Sequence, residues 1–441
     1  MSTVDRTHVR IGSGAGFAGD RIAPAVDLVR DGQLDDLVLE CLAERTIALG
    51  QRRRRADPTT GHDDRTSRRL RALLPEALPR GTRIVSNLGA ANPTAAARET
   101  VAVAEQLGLR CRVAAVTGDD VLAGLDLEQP SLEHGRPLSS YGEIISANAY
   151  TGAATLMAAL DTAAEVVLAG RVADPSLFVA PLAHRLGWDL DDPALAAHGT
   201  LVGHLLECGT QVSGGYFADP TSPFGAKGVP DLAHVGLPWA DVSADGTATL
   251  GTVDGTGGRL DRATVREQLL YEISDPGAYL TPDVTLDLYG VQLETAGPNR
   301  VRVSGARGRP APEQLKVSVG YAAGYRAEGG ISYAGPGCVE RARLAGEVVT
   351  TRLAALGITP RVDVVGAGTG VNLSDTRLRV AATAPDADTA REVCDEVEAL
   401  YVNGPAGGGG VRTRVEEVIG IVSTLVDRSA VRTHVDVLET R

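Results

Sequence analysis

The segment 203–220, GHLLECGTQVSGGYFADP, concentrates side chains that could do chemistry. His204, Glu207 and Cys208 lie at positions i, i+3 and i+4, which share one face of a helix. An imidazole beside a carboxyl group can remove a proton, and a neighbouring thiol can act as a nucleophile. We therefore predict catalytic roles for these three residues. The alternative is a structural His–Glu pair beside a thiol that only packs.

Polar residues also follow the short apolar runs of the first half of the chain. Because ligands bind at the carboxyl ends of parallel strands, these residues predict a binding crevice. We expect Glu40 and Asp174 to act as acid or base, and Arg171, Asn87 and Asn148 to bind substrate. In the corner AGRVADPS, the alternative is that Asp174 caps the next helix and Arg171 only pairs with it.

Lysine is rare in this chain. Of 43 basic residues only Lys227 and Lys316 are lysines, and the others are arginines. A primary amine can lose its proton, which a guanidinium cannot, so a retained lysine can have a function; chance survival is the alternative. We place Lys227, together with Tyr216 of the segment YFADP, among the substrate-binding residues.

The first apolar run ends in GAGFAGDR, residues 14–21, which matches G-x-G-x-x-G. It follows a predicted strand and opens a helix, and Glu40 lies at the end of the next strand, as in a dinucleotide-binding turn. We list Gly14, Gly16, Gly19 and Arg21 as candidate phosphate-binding or cofactor-binding residues. Three interpretations stay open: a tight structural turn, a phosphate or pantetheine-phosphate contact, and a dinucleotide site.

Short apolar runs that alternate with helices must position these residues. Six strand-and-helix units predict an α/β domain over residues 1–240, with parallel strands in a doubly wound or barrel-like arrangement. One helix is expected over 93–108, opening with Pro93 and ending at Gly108, whereas the basic run 52–55 is expected in a solvated loop. Alternating apolar strands and two long helices then predict a smaller α+β domain over 241–441.

Composition excludes several classes of protein. The net charge of −13 argues against nucleic acid as a partner, because phosphate contacts need a basic face. No stretch approaches the length of a membrane span, and no signal peptide is recognisable, so we expect a cytoplasmic protein. Five scattered cysteines form neither a disulfide framework nor a metal pair, and the sequence requires no cofactor.

Many motifs occur together in a familiar order. GAGFAGDR, IVSNLGAANP, SANAYTGA, GRVADPSL, GHLLECG, GGYFADP and ISYAGPG resemble the acyclic terpene utilisation (AtuA) family over about residues 9–420. The R-S-G-D-K-G signature of the ferredoxin-like domain that members often carry does not occur, so we expect the main domain alone, with a separate ferredoxin-like chain as a candidate partner. The resemblance implies a role in the metabolism of branched terpenoid acids, because similar proteins are encoded beside enzymes of acyl-CoA metabolism.

The prediction is therefore an enzyme that moves a proton next to a carbonyl group, in a hydratase, dehydratase or lyase reaction. Its substrate would be a small branched carboxylated molecule or its coenzyme A thioester. The alternatives are a non-catalytic subunit that binds or carries such intermediates, and a dinucleotide-dependent oxidoreductase. The apolar segment VEEVIGIVSTLV near the end of the chain predicts a homo-oligomer, with a dimer as the commonest form.

Overall fold

The computed structural model describes residues 7–367 and 375–441. The strands within these ranges are β1 (His8–Ala15), β2 (Asp36–Leu39), β3 (Arg83–Ser86), β4 (Arg112–Thr117), β5 (Ile144–Ala149), β6 (Val166–Ala169), β7 (Pro238–Ser243), β8 (Ala248–Thr252), β9 (Tyr279–Leu280), β10 (Thr285–Asp287), β11 (Gln292–Gly297), β12 (Arg300–Ser304), β13 (Arg307–Arg309), β14 (Gln314–Ala334), β15 (Arg361–Val365), β16 (Asp375–Ala384), β17 (Gly408–Asp427) and β18 (His434–Glu439). The helices are α1 (Ala23–Asp31), α2 (Glu44–Ala56), α3 (Thr66–Arg80), α4 (Pro93–Gln106), α5 (Ala154–Asp161), α6 (Ser176–Leu186), α7 (Pro193–Leu206), α8 (Arg262–Leu269), α9 (Cys338–Ala355), α10 (Ala387–Glu398) and α11 (Leu400–Asn403). In these ranges no helix is both long and apolar enough to cross a membrane.

The chain divides into two compact units. The first comprises the chain up to Arg136, Ile145–Val319 and Val422–Arg441, and the second comprises Pro137–Ile144 and Gly320–Ile421. This division differs from the boundary predicted at residue 240. Strand β7 pairs antiparallel with β1, and β8, β12 and β11 continue the same sheet. The compositional change near residue 240 therefore marks a change in strand direction within one unit.

A ten-stranded mixed sheet forms the centre of the first unit. Its order is β11-β12-β8-β7-β1-β2-β3-β6-β4-β18. The five strands from β1 to β4 in this order are parallel, as predicted, whereas the strands on both sides of them are antiparallel. The path is open, so the barrel-like alternative does not form. Strand β5, which was expected in this sheet, pairs with β14 instead.

Helices cover both faces of the parallel strands. On β2, Leu37 and Leu39 pack into a core with α1, α3 and α4, whereas Val38 packs into a second core with α5, α6 and α7. Successive side chains of a strand point to opposite faces, so a strand buried on both faces must be apolar throughout. The apolar runs in the sequence are therefore explained by two helix layers, and the strands end together at one edge of the sheet.

The loop predicted for the basic run 52–55 is wrong, because these residues belong to α2. Arginine is a good helix former, and Ile47 and Ala48 of the preceding turn are buried and hold the helix against the rest of the unit. Helix α4 agrees with the prediction, since it begins at Pro93 and the Asn92 side chain accepts a hydrogen bond from the Ala95 N–H.

The second unit is a smaller sheet with helices on one face. Strands β15 and β16 pair in it with parts of β14 and β17, in the order β15-β16-β14-β17. Ile331, Leu378 and Val380 point from the sheet into a core shared with Val349 of α9 and Val393 of α10. The opposite face carries charged side chains, among them Arg377 and Arg379. This unit combines helices and strands, but its range differs from the α+β domain predicted over 241–441.

Candidate functional site

A cavity of about 920 Å³ lies within the first unit. Its volume is within the range of small-molecule sites. Apolar side chains form much of the wall: Leu132, Ala173, Pro175, Ile273, Leu280, Pro282, Leu315 and Leu425. Several titratable side chains also line it, including His204 and Glu207, which the sequence predicted as a pair. The cavity therefore combines an apolar surface with groups that can exchange protons.

Helix α7 positions His204 and Glu207. Asp192 caps the helix by accepting a hydrogen bond from the Ala194 N–H at 2.8 Å, and Pro193 occupies the first turn. His204 lies in the last turn, Glu207 follows the helix, and Gly209 adopts φ +56° just beyond it. The chain thus leaves the helix directly after placing both side chains on the cavity wall.

Both ring nitrogens of His204 are engaged. Nδ1 lies 3.0 Å from Glu207 Oε1, and Nε2 lies 3.2 Å from the backbone carbonyl oxygen of Leu269. Burial opposes the charged ring, but the hydrogen bond and charge of Glu207, with backbone groups of Leu269 and Gln268, raise the pKa of His204. Because both partners can accept, the ring is best satisfied when it donates from both nitrogens. This arrangement suits a residue that holds Glu207 in place.

The second oxygen of Glu207 has different surroundings. Oε2 is buried and has no hydrogen-bond partner in the described part of the chain. Burial raises the pKa of Glu207 to about 7, against the opposing effect of His204. A carboxyl group with a pKa near neutrality can both accept and release a proton under ordinary conditions. Glu207 is therefore the cavity residue best suited to proton transfer.

Asp174 places a second carboxyl group on the cavity wall. Arg171, which is 2 % exposed, donates to Asp174 Oδ1 at 2.8 Å and to the backbone carbonyl of Leu42. Burial raises the pKa of Asp174, although the charge of Arg171 opposes this shift. Asp174 does not cap α6, whose first turn has no side-chain cap. The ion pair predicted for this corner forms, and it leaves Asp174 facing the cavity.

Most lining residues were not among the predicted site residues, and four of them carry polar groups that matter for the chemistry: Glu44, Tyr150, Tyr279 and Lys316. The Tyr150 hydroxyl donates to Glu44, and the Lys316 ammonium lies 4.8 Å from the centre of the Tyr150 ring. Tyr279 packs edge-on against His204, with ring centres 5.4 Å apart. Lys316 had a signal in the sequence, as one of two lysines, and Tyr150 lies in the motif SANAYTGA. Glu44 lies in the motif LVLECLAERT, whereas Tyr279 comes from a segment with no distinctive pattern.

Comparison with known proteins adds one decisive match. The sequence profile of the family described as acyclic terpene utilisation family protein AtuA matches residues 9–437. The chain belongs to the AtuA family. This confirms the resemblance inferred from the motifs. No curated protein and no solved structure is significantly similar to the chain.

The strand-end residues of this AtuA-family chain meet behind the cavity. The Asn87 side chain donates to Glu40 Oε1 at 3.0 Å, and its oxygen accepts from the Cys41 N–H. Burial, followed by the charge of Asp174, raises the pKa of Glu40 well above its usual value. Asn148 donates to Asp119, which also accepts the backbone N–H of Arg171. The structure brings these predicted residues together as a layer that supports Arg171 and Asp174.

The glycine turn of the AtuA-family chain is packed closely. Gly14 lies in β1, and a Cβ on Gly16 would lie 2.7 Å from the Gly209 nitrogen, and closer still to the Cys208 carbonyl group. The Gly16 N–H donates to Asp20 Oδ2 at 3.0 Å, and a Cβ on Gly19 would meet the Phe17 ring. Arg21 donates to the carbonyl of Ala233. This geometry favours the structural turn, since an acid already occupies the Gly16 amide.

The remaining predicted residues lie outside the cavity lining. Burial raises the pKa of the Cys208 thiol, as does the charge of Glu207, so the thiol stays protonated. Tyr216 is exposed and packs edge-on against Tyr271, which does line the cavity. Lys227 pairs with Glu267 at 2.7 Å. Within the described ranges, no three His, Cys, Asp or Glu side chains are grouped as metal ligands.

Proposed function

We propose that this chain is an enzyme that transfers a proton next to the carbonyl group of a branched acyl compound. The observation that carries the proposal is Glu207, a carboxyl group of the cavity lining with one oxygen held by His204 and the other buried without a partner among the described residues. Family membership connects the chain with acyclic terpene utilisation, whose intermediates are branched and apolar. The free acid and its coenzyme A thioester are the two forms in which such a substrate would arrive.

The carboxyl pair supports a dehydration or, in reverse, a hydration. Glu207 accepts the proton from the carbon next to the carbonyl, and the electron pair of that C–H bond forms the new C=C bond. The C–O bond at the next carbon breaks, and its hydroxyl leaves as water with a proton from Asp174. Burial raises the pKa of Glu207 to about 7 and also raises the pKa of Asp174 against the charge of Arg171, which favours the protonated form that Asp174 needs as the donor.

Tyr279 would stabilise the carbonyl oxygen while the proton is moved. Its ring packs against His204, and the residue lines the cavity. Burial raises the pKa of Tyr279, as do the charges of Glu207 and Asp174, so the hydroxyl keeps its proton. A neutral donor at a fixed position stabilises an oxygen that gains negative charge during the reaction.

The experiment uses a panel of branched 2-enoyl and 3-hydroxyacyl compounds, each as the free acid and as the coenzyme A thioester. The protein is incubated with each compound in D2O, and mass spectrometry measures hydration, dehydration and deuterium next to the carbonyl. We expect turnover with at least one member, lost in Glu207→Gln and kept in Glu347→Gln, an exposed control on α9. Binding of panel members by calorimetry without any exchange would contradict the enzyme and support a binding subunit.

A further inference from the structure

We propose that Lys316 is the anion anchor of the cavity, and that its ammonium group binds an oxyanion of the ligand. The oxyanion is a carboxylate or a phosphate, and the experiment below distinguishes the two. The inference rests on the proposed function, because it names the chemical group by which the acyl compound is held. It assigns a ligand-binding role to a residue outside the proton-transfer machinery.

Lys316 lies near the start of β14 and lines the cavity, and its side chain is 46 % exposed. The backbone carbonyl of Lys316 accepts the Tyr150 N–H at 2.8 Å, so the two residues are fixed side by side. The ammonium lies 4.8 Å from the Tyr150 ring centre and 3.7 Å from Glu44 Oε1. A flexible side chain is thus held in one place by a ring and a carboxylate.

These contacts leave hydrogen-bonding capacity. An ammonium group has three N–H donors, and a carboxylate at 3.7 Å is an ion pair longer than a normal hydrogen bond. Oε1 of Glu44 already accepts a hydrogen bond from the Tyr150 hydroxyl. Burial works against ionisation of Glu44, but Tyr150, Arg171 and Lys316 lower its pKa. Glu44 therefore stays charged and orients Lys316 without using all of its donors.

The charges around the cavity explain why an anchor is needed. Acidic side chains outnumber basic ones in the lining: Glu44, Asp174, Glu207, Glu272, Glu313 and Asp427. Such a surface repels a carboxylate or a phosphate unless a cation faces it. Lys316 is the one lysine or arginine among the described residues that line the cavity, since Arg171 lies behind Asp174. An anionic ligand that enters can be bound by this ammonium, whereas both ring nitrogens of His204 are already engaged.

The residue type agrees with the position. The chain uses arginine almost everywhere, and yet one of its two lysines lies at this cavity. Arg171 already packs on the Tyr150 ring, 4.1 Å from its centre. A second guanidinium beside Glu44 would form a two-pronged pair with that carboxylate, whereas an ammonium is compact and keeps donors for a ligand. Lysine is therefore the basic residue that leaves this place open for an incoming anion.

The scarcity of lysine makes the test direct. Acetic anhydride acetylates the two lysines and the terminal amine, and peptide mass spectrometry measures the extent at each amine. The probes are a branched 2-enoic acid, its neutral methyl ester, its coenzyme A thioester and free coenzyme A, each at a concentration that calorimetry shows to be saturating. Lys227, which lies outside the cavity lining, is the internal reference in every sample.

We expect anionic probes to slow acetylation of Lys316 at least severalfold and to leave Lys227 unchanged. Protection by the free acid but not by its methyl ester identifies a carboxylate, and protection by free coenzyme A identifies a phosphate. Equal labelling of Lys316 with and without bound anionic probes would overturn the proposal. Equal protection by the acid and the methyl ester would also overturn it, because simple coverage does not require charge.

Variants give an independent readout. Lys316→Gln should weaken binding of the protecting anion roughly ten- to hundredfold, the range for a hydrogen bond to a charged group. It should leave binding of the methyl ester unchanged, and Lys316→Arg should retain part of the affinity. Lys227→Gln is the matched control, and thermal melting confirms that each variant is folded. Loss of anion binding in both Lys227→Gln and Lys316→Gln would contradict a specific anchor.

The two proposals fail separately. Labelling and calorimetry need no turnover, so Lys316 can be protected by a ligand in a chain that catalyses nothing. Conversely, deuterium exchange with unprotected Lys316 would leave the proton-transfer proposal in place and remove the anchor.

Discussion

Glu207 and its neighbours show how a single residue acquires a chemical role from its surroundings. One carboxylate oxygen lies 3.0 Å from His204 Nδ1, and the other is buried without a partner. His204 is in turn held by the Leu269 carbonyl at 3.2 Å. In the proposed reaction the glutamate is the general base and the histidine orients it, which reverses the roles expected from residue type alone.

Replacing Tyr279 by phenylalanine tests the proposed hydrogen bond to the ligand carbonyl. A conjugated enoyl thioester absorbs at longer wavelength when its carbonyl accepts a strong hydrogen bond. We expect this red shift on binding to the native protein and a smaller shift with Tyr279→Phe, with turnover lowered about 10²–10³-fold, as for other lost oxyanion donors. Tyr216→Phe is the control. Equal red shifts in native protein and Tyr279→Phe would remove Tyr279 from the mechanism.

Replacing Cys208 by serine tests whether its thiol reacts. The thiol has a raised pKa from burial and the charge of Glu207, and it is absent from the cavity lining. Because the thiolate is the nucleophilic form, we expect Cys208→Ser to keep turnover within a few fold of the native protein. A loss comparable to that of Glu207→Gln, with unchanged melting temperature, would show that the thiol takes part.

The sequence predicted part of this site. His204, Glu207 and Asp174 were recognisable because helical spacing and the strand-to-helix corner bring them to predictable places. Glu44, Tyr150 and Tyr279 reach the cavity from separate elements, and only the fold shows that these elements meet there. Glu40 was predicted as an acid or base and Asn87 as a substrate-binding residue, but the hydrogen bond between them indicates a supporting layer.

At the scale of elements, the contact between the glycine turn and the end of α7 positions the site. Gly16 lies against the backbone of Cys208 and Gly209, immediately beside Glu207. The turn after β1 therefore sets how closely α7 approaches the sheet edge. A larger residue at position 16 would push away the segment that carries Glu207.

Gly16→Ala should lower the free energy of unfolding by about 1–3 kcal/mol, the usual cost of overpacking. Gly124→Ala is the matched control, because a Cβ there meets nothing within 4 Å. Urea denaturation of both variants provides the measurement. Unchanged stability of Gly16→Ala together with weaker ligand binding would instead support the phosphate-binding interpretation of the turn.

The sequence predicted many of the helices and strands, but it did not predict helix α2 or the domain boundary. Helix α4 follows its Asn92-Pro93 start, and the apolar runs of β2, β3 and β6 identified buried strands. Helix α2 was missed at this end because a run of four arginines has no apolar periodicity, and charge alone does not separate helix from loop. The domain boundary at 240 differed because pairing of β7 with β1 is a long-range contact that local composition does not record.

At the scale of the whole molecule, buried carboxyl groups link stability to pH. Burial raises the pKa of Asp119 to about 6 and of Glu207 to about 7, and it raises the pKa of Glu40 and Asp174. The folded chain therefore holds these protons more tightly than the unfolded chain. The stabilisation is complete below the ordinary carboxyl pKa near 4.5 and is lost as the pH rises through the folded values.

We accordingly expect the free energy of unfolding to fall between about pH 5 and pH 8. The raised pKa of His204 acts in the same direction, because its contribution is lost as the pH rises above its ordinary value of 6.5. Urea denaturation across this range is the measurement, and Glu207→Gln should give a shallower slope than the native protein. Stability that rises steadily with pH would contradict the assignment of these buried groups.

The dimer predicted from the apolar segment of β17 stays a prediction.

The most direct test of the whole account is the pH dependence of deuterium exchange next to the ligand carbonyl, with Glu207 intact and replaced. Glu207 accepts the proton as a carboxylate, so the rate should fall as the pH drops below about 7, the pKa given to it by burial. Glu207→Gln should lower the rate about 10²–10⁴-fold at its maximum and abolish this dependence. Exchange in Glu207→Gln with the rate and pH profile of the native protein would contradict the central claim that Glu207 is the proton-transferring residue.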